Sequence, residues 1–209
     1  MMETGWNMTP ESLLLLGAAM IYMITMTITP GPNNIMLTAS GANYGFRRTL
    51  PHIFGIAIGC LLLFSALALG LGRAFEVYPV LQTGLKIFGS VYLLWLAWKI
   101  ATAPPPVINT DIVGQPLTFV QAAAFQFMNP KAWVMGIALM AGFLPDQGNL
   151  VLNALLLASL SALIGLPCIS LWAGFGVAIG KILKSEYHWR WFNRSMGGIT
   201  AACVVIILQ

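Results

Sequence analysis

The stretch Thr29-Pro30-Gly31-Pro32-Asn33-Asn34 falls inside an apolar run that extends from about Leu13 to Ala42. Proline lacks an amide hydrogen and its ring clashes with the preceding turn, so a helix reaching this point breaks and carbonyls near Thr25 and Met26 lose their partners. In lipid such a loss is tolerated only where protein, water or cargo supplies replacements. Discontinuous helices whose ends face a central site are a device of membrane transporters. The stretch therefore predicts an all-α membrane protein with a substrate site at a break in its first helix.

Composition sets the same frame. Charged residues make up 8% of the chain and hydrophobic ones 58%, with a mean hydropathy of +0.83, whereas about a quarter of the residues of a soluble domain are charged. One span needs roughly 20 mainly apolar residues. The 209 residues then form a single polytopic membrane domain with six spans: Leu13 to Ala42, Ile53 to Leu71, Leu81 to Ile100, Phe119 to Leu144, Leu150 to about Ile179, and Phe192 to Leu208. Glu3 and Glu11 flank the first run and no Lys or Arg precedes it, the wrong flank for a secretory signal peptide, so this run is expected to be retained. Cys60, Cys168 and Cys203 lie in apolar segments without disulfide or metal-binding spacing and read as small core residues. No cofactor or metal is expected.

Charge orients the chain. Arg47 and Arg48 follow the first span, Lys99 ends the third, and Lys181, Lys184, Arg190 and Arg194 separate the fifth from the sixth. The other connections hold little beyond Arg73, Glu76 and Asp146. By the positive-inside rule both termini are periplasmic, and Tyr92, Trp95, Trp98, Trp189 and Trp191 form an interfacial belt on the basic side. Basic residues so distributed are orientation signals, and no nucleic-acid partner is expected.

The polar connection Ala101 to Gln115, containing Pro104-Pro105-Pro106 and Asp111, divides the chain almost in half. Each half (about 12–101 and 119–209, linked by 102–118) holds three spans. Three is odd, so the halves enter the membrane from opposite sides as inverted repeats. Asn129-Pro130-Lys131 interrupts the fourth span much as Pro30 interrupts the first. Ala132 to Leu144 is about 20 Å of helix, too short for a core of roughly 30 Å, so this span must include residues on both sides of Pro130. With the termini outside, both breaks are expected in the cytoplasmic half of the membrane.

Free amides at the start of the helix after the first break carry roughly half a positive charge. Asn33 or Asn34 is expected to cap that helix, with a carboxylate competing for the same amides. A cargo ammonium is expected on carbonyls freed between Thr25 and Thr29 and on the hydroxyls of Tyr22, Thr27 and Thr29. The candidate binding set is Tyr22, Thr27, Thr29, Pro30, Gly31, Pro32, Asn33, Asn34, Lys86, Asn129, Pro130 and Lys131. The bland alternatives are that Pro-Gly-Pro only ends a short helix before a re-entrant turn, and that Lys86 snorkels to the interface. Gly55 and Gly59, and Gly174, Gly176 and Gly180, read as close-packing positions, and Pro167, near Gly165, as a hinge. The spans contain no Asp or Glu apart from Glu11 at the margin, which argues for a zwitterionic cargo over a strongly cationic one.

Two other function classes have signatures that differ. An intramembrane hydrolase needs a titratable pair, and Ser40 with His52 lacks the glycine of a nucleophile elbow. A channel tolerates broken helices but shows neither saturation nor counterflow.

The Thr29–Asn34 run, Gly45-Phe46-Arg47, the glycines of the second span, Leu85-Lys86-x-x-Gly89-x-x-Tyr92-Leu93 and Asn129-Pro130-Lys131-Ala132 together resemble the LysE/RhtB family of amino-acid exporters over essentially the whole chain. Leu94-Trp95-Leu96-Ala97-Trp98-Lys99 and Thr29-Pro30-Gly31-Pro32-Asn33-Asn34-Ile35 are most similar to its cysteine and O-acetylserine branch. The resemblance implies secondary transport and no enzyme activity. It implies export of small neutral amino acids or close derivatives, of the cysteine/O-acetylserine or homoserine/threonine kind, across a bacterial inner membrane. Proton coupling is implied with it, and the lipid bilayer and the cargo are the implied partners. A homo-oligomer is compatible with such a chain.

Overall fold

Thr9 opens the first helix. Its hydroxyl accepts from the amide of Ser12 at 3.3 Å, and Pro10, at the first helical position, gives up an amide that would have no partner there. The computed structural model describes residues 9–71, 77–104, 114–145 and 148–208. Glu3, Arg73, Glu76, Asp111, Asp146 and the side chain of Lys86 lie outside the described residues.

Helix α1 (Pro10–Ile28) stops because Thr29 precedes a proline and is forced into extended backbone, with φ −66° and ψ 143°. Helix α2 (Pro32–Tyr44) restarts with Pro32 at its first position. Gly45, at φ +79°, turns the chain in a conformation that side chains disfavour. It leads into α3 (Phe46–Ala66), which runs on through a π-helical turn, Leu67–Leu71. Helix α4 is Pro79–Ala101. The second break separates α5 (Phe119–Gln126) from α6 (Pro130–Phe143), again with proline at the first position of the later helix. The positional match to Pro130 is therefore Pro32 and not Pro30. Helices α7 (Leu150–Ile182) and α8 (Glu186–Leu208) complete an all-helical chain, with no strand among the described residues.

Three helical stretches are long and apolar enough to cross a membrane unaided: Pro10–Ile28, Phe46–Leu71 and Leu150–Ile182. At 19 residues α1 is about 28 Å long, so most of the apolar length of this run precedes the prolines.

Neither break reverses the chain. Along α7, Ala19 and Met23 share a core cluster with Leu157 and Ala158; Thr27 lies beside Gly165; and Trp172 Nε1 donates to the Ile28 carbonyl at 3.1 Å. Beyond the break, Thr38 meets Gly176 and Ala42 meets Gly180. Helices α1 and α2 thus advance along α7 in one direction, which overturns the re-entrant alternative. In the same way α5 and α6 advance along α3: Phe119 and Ala122 lie at Gly55, Ala123 and Gln126 at Gly59, and Gly136 at Phe64 and Leu67.

Helices α3 and α7 are antiparallel. Leu63 and Phe64 cluster with Leu157 and Ala158, and Ile53 and Ile56 with Ile169 and Ala173. Helices α4 and α8 are also antiparallel, with Leu93 and Leu96 against Cys203 and Val204, and Ala97 and Ala101 against Gly197. Glycine permits the two tightest crossings. A Cβ on Gly41 or Gly176 would collide with backbone of Ala173 or Thr38, and one on Gly55 or Gly59 with carbonyls of α5. The packing role expected of Gly55, Gly59, Gly176 and Gly180 is what the structure gives them; Gly174 has open space.

The α2–α3 and α7–α8 junctions and the end of α4 gather at one end of the bundle. Asn43 Nδ2 donates to Asn193 Oδ1 at 2.9 Å, and Asn193 Nδ2 donates to the Ala103 carbonyl at 3.1 Å. Arg47, Arg48, Lys99, Lys181, Lys184, Arg190 and Arg194 therefore share that end. Helix α7 remains continuous through Pro167.

Candidate functional site

The two breaks meet. Because α1–α2 follows α7 and α5–α6 follows α3, while α3 and α7 are antiparallel, both breaks fall level with the middle of those helices, near Gly165 and Cys60.

A cavity of about 60 Å³ lies between them. Its wall includes Met26 and Thr27 of α1, Gly31, Asn33 and Asn34, Ile56, Ala57 and Cys60 of α3, Asn129, Lys131 and Ala132 at the second break, and Ser161 and Gly165 of α7. At ~10–15 Å³ for each water-sized group this holds about four to six such groups. Six of the expected residues line it: Thr27, Gly31, Asn33, Asn34, Asn129 and Lys131. Tyr22, Thr29, Pro30, Pro32 and Pro130 do not, and the side chain of Lys86 lies outside the described residues.

The start of α2 differs from expectation. Its cap is Gly31, with no side-chain hydrogen bond. Asn34 instead turns back and its Nδ2 donates to the carbonyls of Thr27 at 2.9 Å and Thr29 at 2.8 Å. Asn33 reaches across to Gln126, donating at 2.8 Å and accepting from Gln126 Nε2 at 3.2 Å. The capping expectation fails because Pro32, at the first helical position, draws Gly31 into the cap, and the freed carbonyls attract the Asn34 amide. No side chain then covers the amides at the start of α2. At the second break Asn129 does cap, its Oδ1 accepting from the Lys131 amide at 3.1 Å.

Lys131 ties the breaks together. Its Nζ donates to the carbonyl of Thr29, to Thr29 Oγ1 at 3.0 Å and to the Pro30 carbonyl at 3.2 Å. This crossing needs Gly31, since a Cβ there would lie 2.8 Å from Lys131 Cδ. The carbonyls expected to hold a cargo ammonium are thus bound by the chain's own groups, Thr27 by Asn34, Ile28 by Trp172, and Thr29 by Asn34 and Lys131; the Pro30 carbonyl, outside that set, is bound by Lys131 as well. The Thr25 carbonyl accepts from the Thr29 amide at 3.1 Å. Of the three expected hydroxyls, Tyr22 donates to the Met135 carbonyl at 3.2 Å and Thr29 to the Met26 carbonyl at 3.0 Å. Thr27 Oγ1 alone of the three is buried and has no partner.

Sequence reasoning missed Gln126, which is fully buried and whose Oε1 accepts from Asn33, from Asn129 at 3.5 Å and from Cys60 Sγ at 3.6 Å. The available signal was a glutamine in an apolar segment three residues before Asn129-Pro130. Trp172 and Ser161 carried no signal of their own; only the packing of α7 against the break gives them a place.

The sequence profile described as LysE type translocator matches residues 24–207. The chain is 29% identical over 201 residues to a protein of Shigella flexneri serotype 5b named cysteine/O-acetylserine efflux protein, covering 96% of this chain and 99% of the relative. Proteins of the same name from Salmonella paratyphi A and Salmonella choleraesuis are 32% and 33% identical over 206 residues, with the same coverage of both chains. No solved structure matches the chain. By the profile match and these relatives the chain belongs to the LysE type translocator family, and is a membrane transporter and not an enzyme.

Proposed function

We propose that the protein exports small neutral amino acids or close derivatives, of the cysteine/O-acetylserine or homoserine/threonine kind, from the cytoplasm across a bacterial inner membrane, driven by the proton gradient. The observation that carries this reading is the cavity shared by two helix breaks, whose wall includes Asn33 and Asn34 at the uncapped start of α2, Lys131, and Thr27 with its unpartnered hydroxyl. A cargo carboxylate accepts from the α2 amides and from Lys131, as anions do at helix starts. Its ammonium donates to Thr27 Oγ1 and competes with Asn34 and Lys131 for the carbonyls of Thr27, Thr29 and Pro30. The relatives named cysteine/O-acetylserine efflux protein support a cargo of the first of these kinds.

Six spans follow if α1–α2 and α5–α6 each count as one broken span beside α3, α4, α7 and α8. The two halves are then inverted repeats that exchange their broken helices, α1–α2 lying on α7 and α5–α6 on α3. The antiparallel pairs α3–α7 and α4–α8 support this pattern. The gathering of basic residues at one end supports periplasmic termini by the positive-inside rule.

The test is counterflow. Proteoliposomes loaded with unlabelled O-acetylserine, cysteine, homoserine or threonine should accumulate the labelled form transiently, and an imposed pH gradient should drive uptake. Linear, unsaturable flux without counterflow would overturn the exporter reading in favour of a channel.

A further inference from the structure

A second and larger cavity, of about 320 Å³, opens at the basic end of the bundle between α2, α3, α4 and the residues just before α5. Its wall includes Ser40, Asn43, Tyr44, His52, Lys99 and Leu117. Most of this polarity is internally satisfied. Ser40 Oγ lies 2.9 Å from Thr49 Oγ1, and Asn43 pairs with Asn193 at 2.9 and 3.2 Å. His52 is the exception: it is 1% exposed and neither ring nitrogen has a hydrogen-bond partner. Buried polar groups in native proteins nearly always have one.

The chemistry of that wall selects a ligand. A neutral imidazole offers one N–H donor and one acceptor nitrogen, so His52 calls for a partner that accepts, one that donates, or both. Lys99, exposed and 4.7 Å from the Trp95 ring centroid, places a cation at the mouth. Among the described residues no Asp or Glu lines the cavity. Lys99 therefore favours a ligand that carries an anionic group. The two cavities also share their walls. The first uses Asn33 and Asn34 of α2 and Ile56 of α3; the second uses Met36 and Ser40 of α2 and His52 of α3. His52 and Ile56 are one helical turn apart, about 6 Å along α3.

We propose that this second cavity is an amino-acid binding site on the cytosolic side, where cargo is captured before it moves one turn inward to the cavity between the breaks. The carboxylate is steered by Lys99; a turn of the His52 ring, whose nitrogens are closed off in this structure, brings its N–H to the carboxylate and its second nitrogen to the ammonium, directly or through water. The inference rests on the exporter reading.

The sequence contains two histidines, and His188 is an exposed residue bonded to Ser185. His188→Asn leaves His52 as the sole histidine. In that protein, labelled with nitrogen-15 histidine, O-acetylserine should shift the His52 ring resonances saturably, and should still do so after Asn34→Leu disables the first cavity. Resonances that stay unmoved while the same preparation shows counterflow would overturn the second site. So would a shift that vanishes with Asn34→Leu, because it would originate in the first cavity. His52→Leu should raise the half-saturating O-acetylserine concentration about tenfold, and an unchanged value would count against the site. Absence of counterflow for the whole amino-acid panel would remove the exporter reading and this inference with it.

Discussion

Lys131 Nζ lies 3.0 Å from Thr29 Oγ1, so an ammonium carried by α6 closes the open end of α1. Two residues about a hundred positions apart in sequence make one structural joint. A lysine in an apolar bundle is costly unless it pairs or faces water, and here backbone carbonyls released by Pro30 and Pro32 take that part. The break and the charge stabilise each other.

Gly31→Val should separate them. The added Cβ would lie 2.8 Å from Lys131 Cδ and 3.2 Å from its Nζ, which pushes the ammonium off its carbonyls. A hydrogen bond to a charged group contributes about 1.5–3 kcal/mol, so transport should fall roughly ten- to a hundredfold in variants inserted at normal levels. Normal export by such a variant would show that the joint plays no part.

Thr27→Val is nearly isosteric and removes the buried hydroxyl that has no partner. The folded protein should melt at the same temperature or higher, because an unmade hydrogen bond carries a desolvation cost of about 1–3 kcal/mol. Affinity should fall in the same variant, about tenfold if one bond to cargo is lost. Thermal melts and counterflow on one preparation separate the two effects, and a fall in both would assign Thr27 to stability alone.

Gln126→Leu leaves Asn33 and Asn129 without the acceptor they share. The expected loss is about 1–3 kcal/mol of stability for each buried group left unpaired, read as a lower melting temperature in detergent. A melting temperature equal to the parent's would mean that water replaces the amide without penalty.

Gly176→Ala and Gly174→Ala make an internal control on α7. The first adds a methyl against the Thr38 carbonyl and should cost about 1–3 kcal/mol as overpacking, whereas the second meets nothing within 4 Å and should stay within about 0.5 kcal/mol. Equal melting temperatures would contradict the close contact of α2 with α7.

Alkaline phosphatase joined after Gln209 should be active in a bacterial host, as periplasmic termini require. An active cytosolic reporter at that position would invert the topology.

The sequence by itself determined what local chemistry can determine. Composition made the chain a membrane protein. Pro30 ended α1 by forcing Thr29 into extended backbone, and Pro32 and Pro130 each opened the helix that follows, at a position where a missing amide costs nothing. Thr27, Gly31, Asn33, Asn34, Asn129 and Lys131 could be named because polar residues beside a break in an apolar run are costly without a purpose. Only the tertiary structure decided how those groups are used. Asn34 turned back onto carbonyls where a cap was expected, Gln126 became the hub between the breaks, and His52 was left without a partner beside a cavity. Asn34 answers carbonyls of its own broken segment, whereas the places of Gln126 and His52 depend on which helix lies opposite, and that is fixed by the antiparallel crossing of α3 and α7 and by glycine contacts whose partners no local pattern encodes.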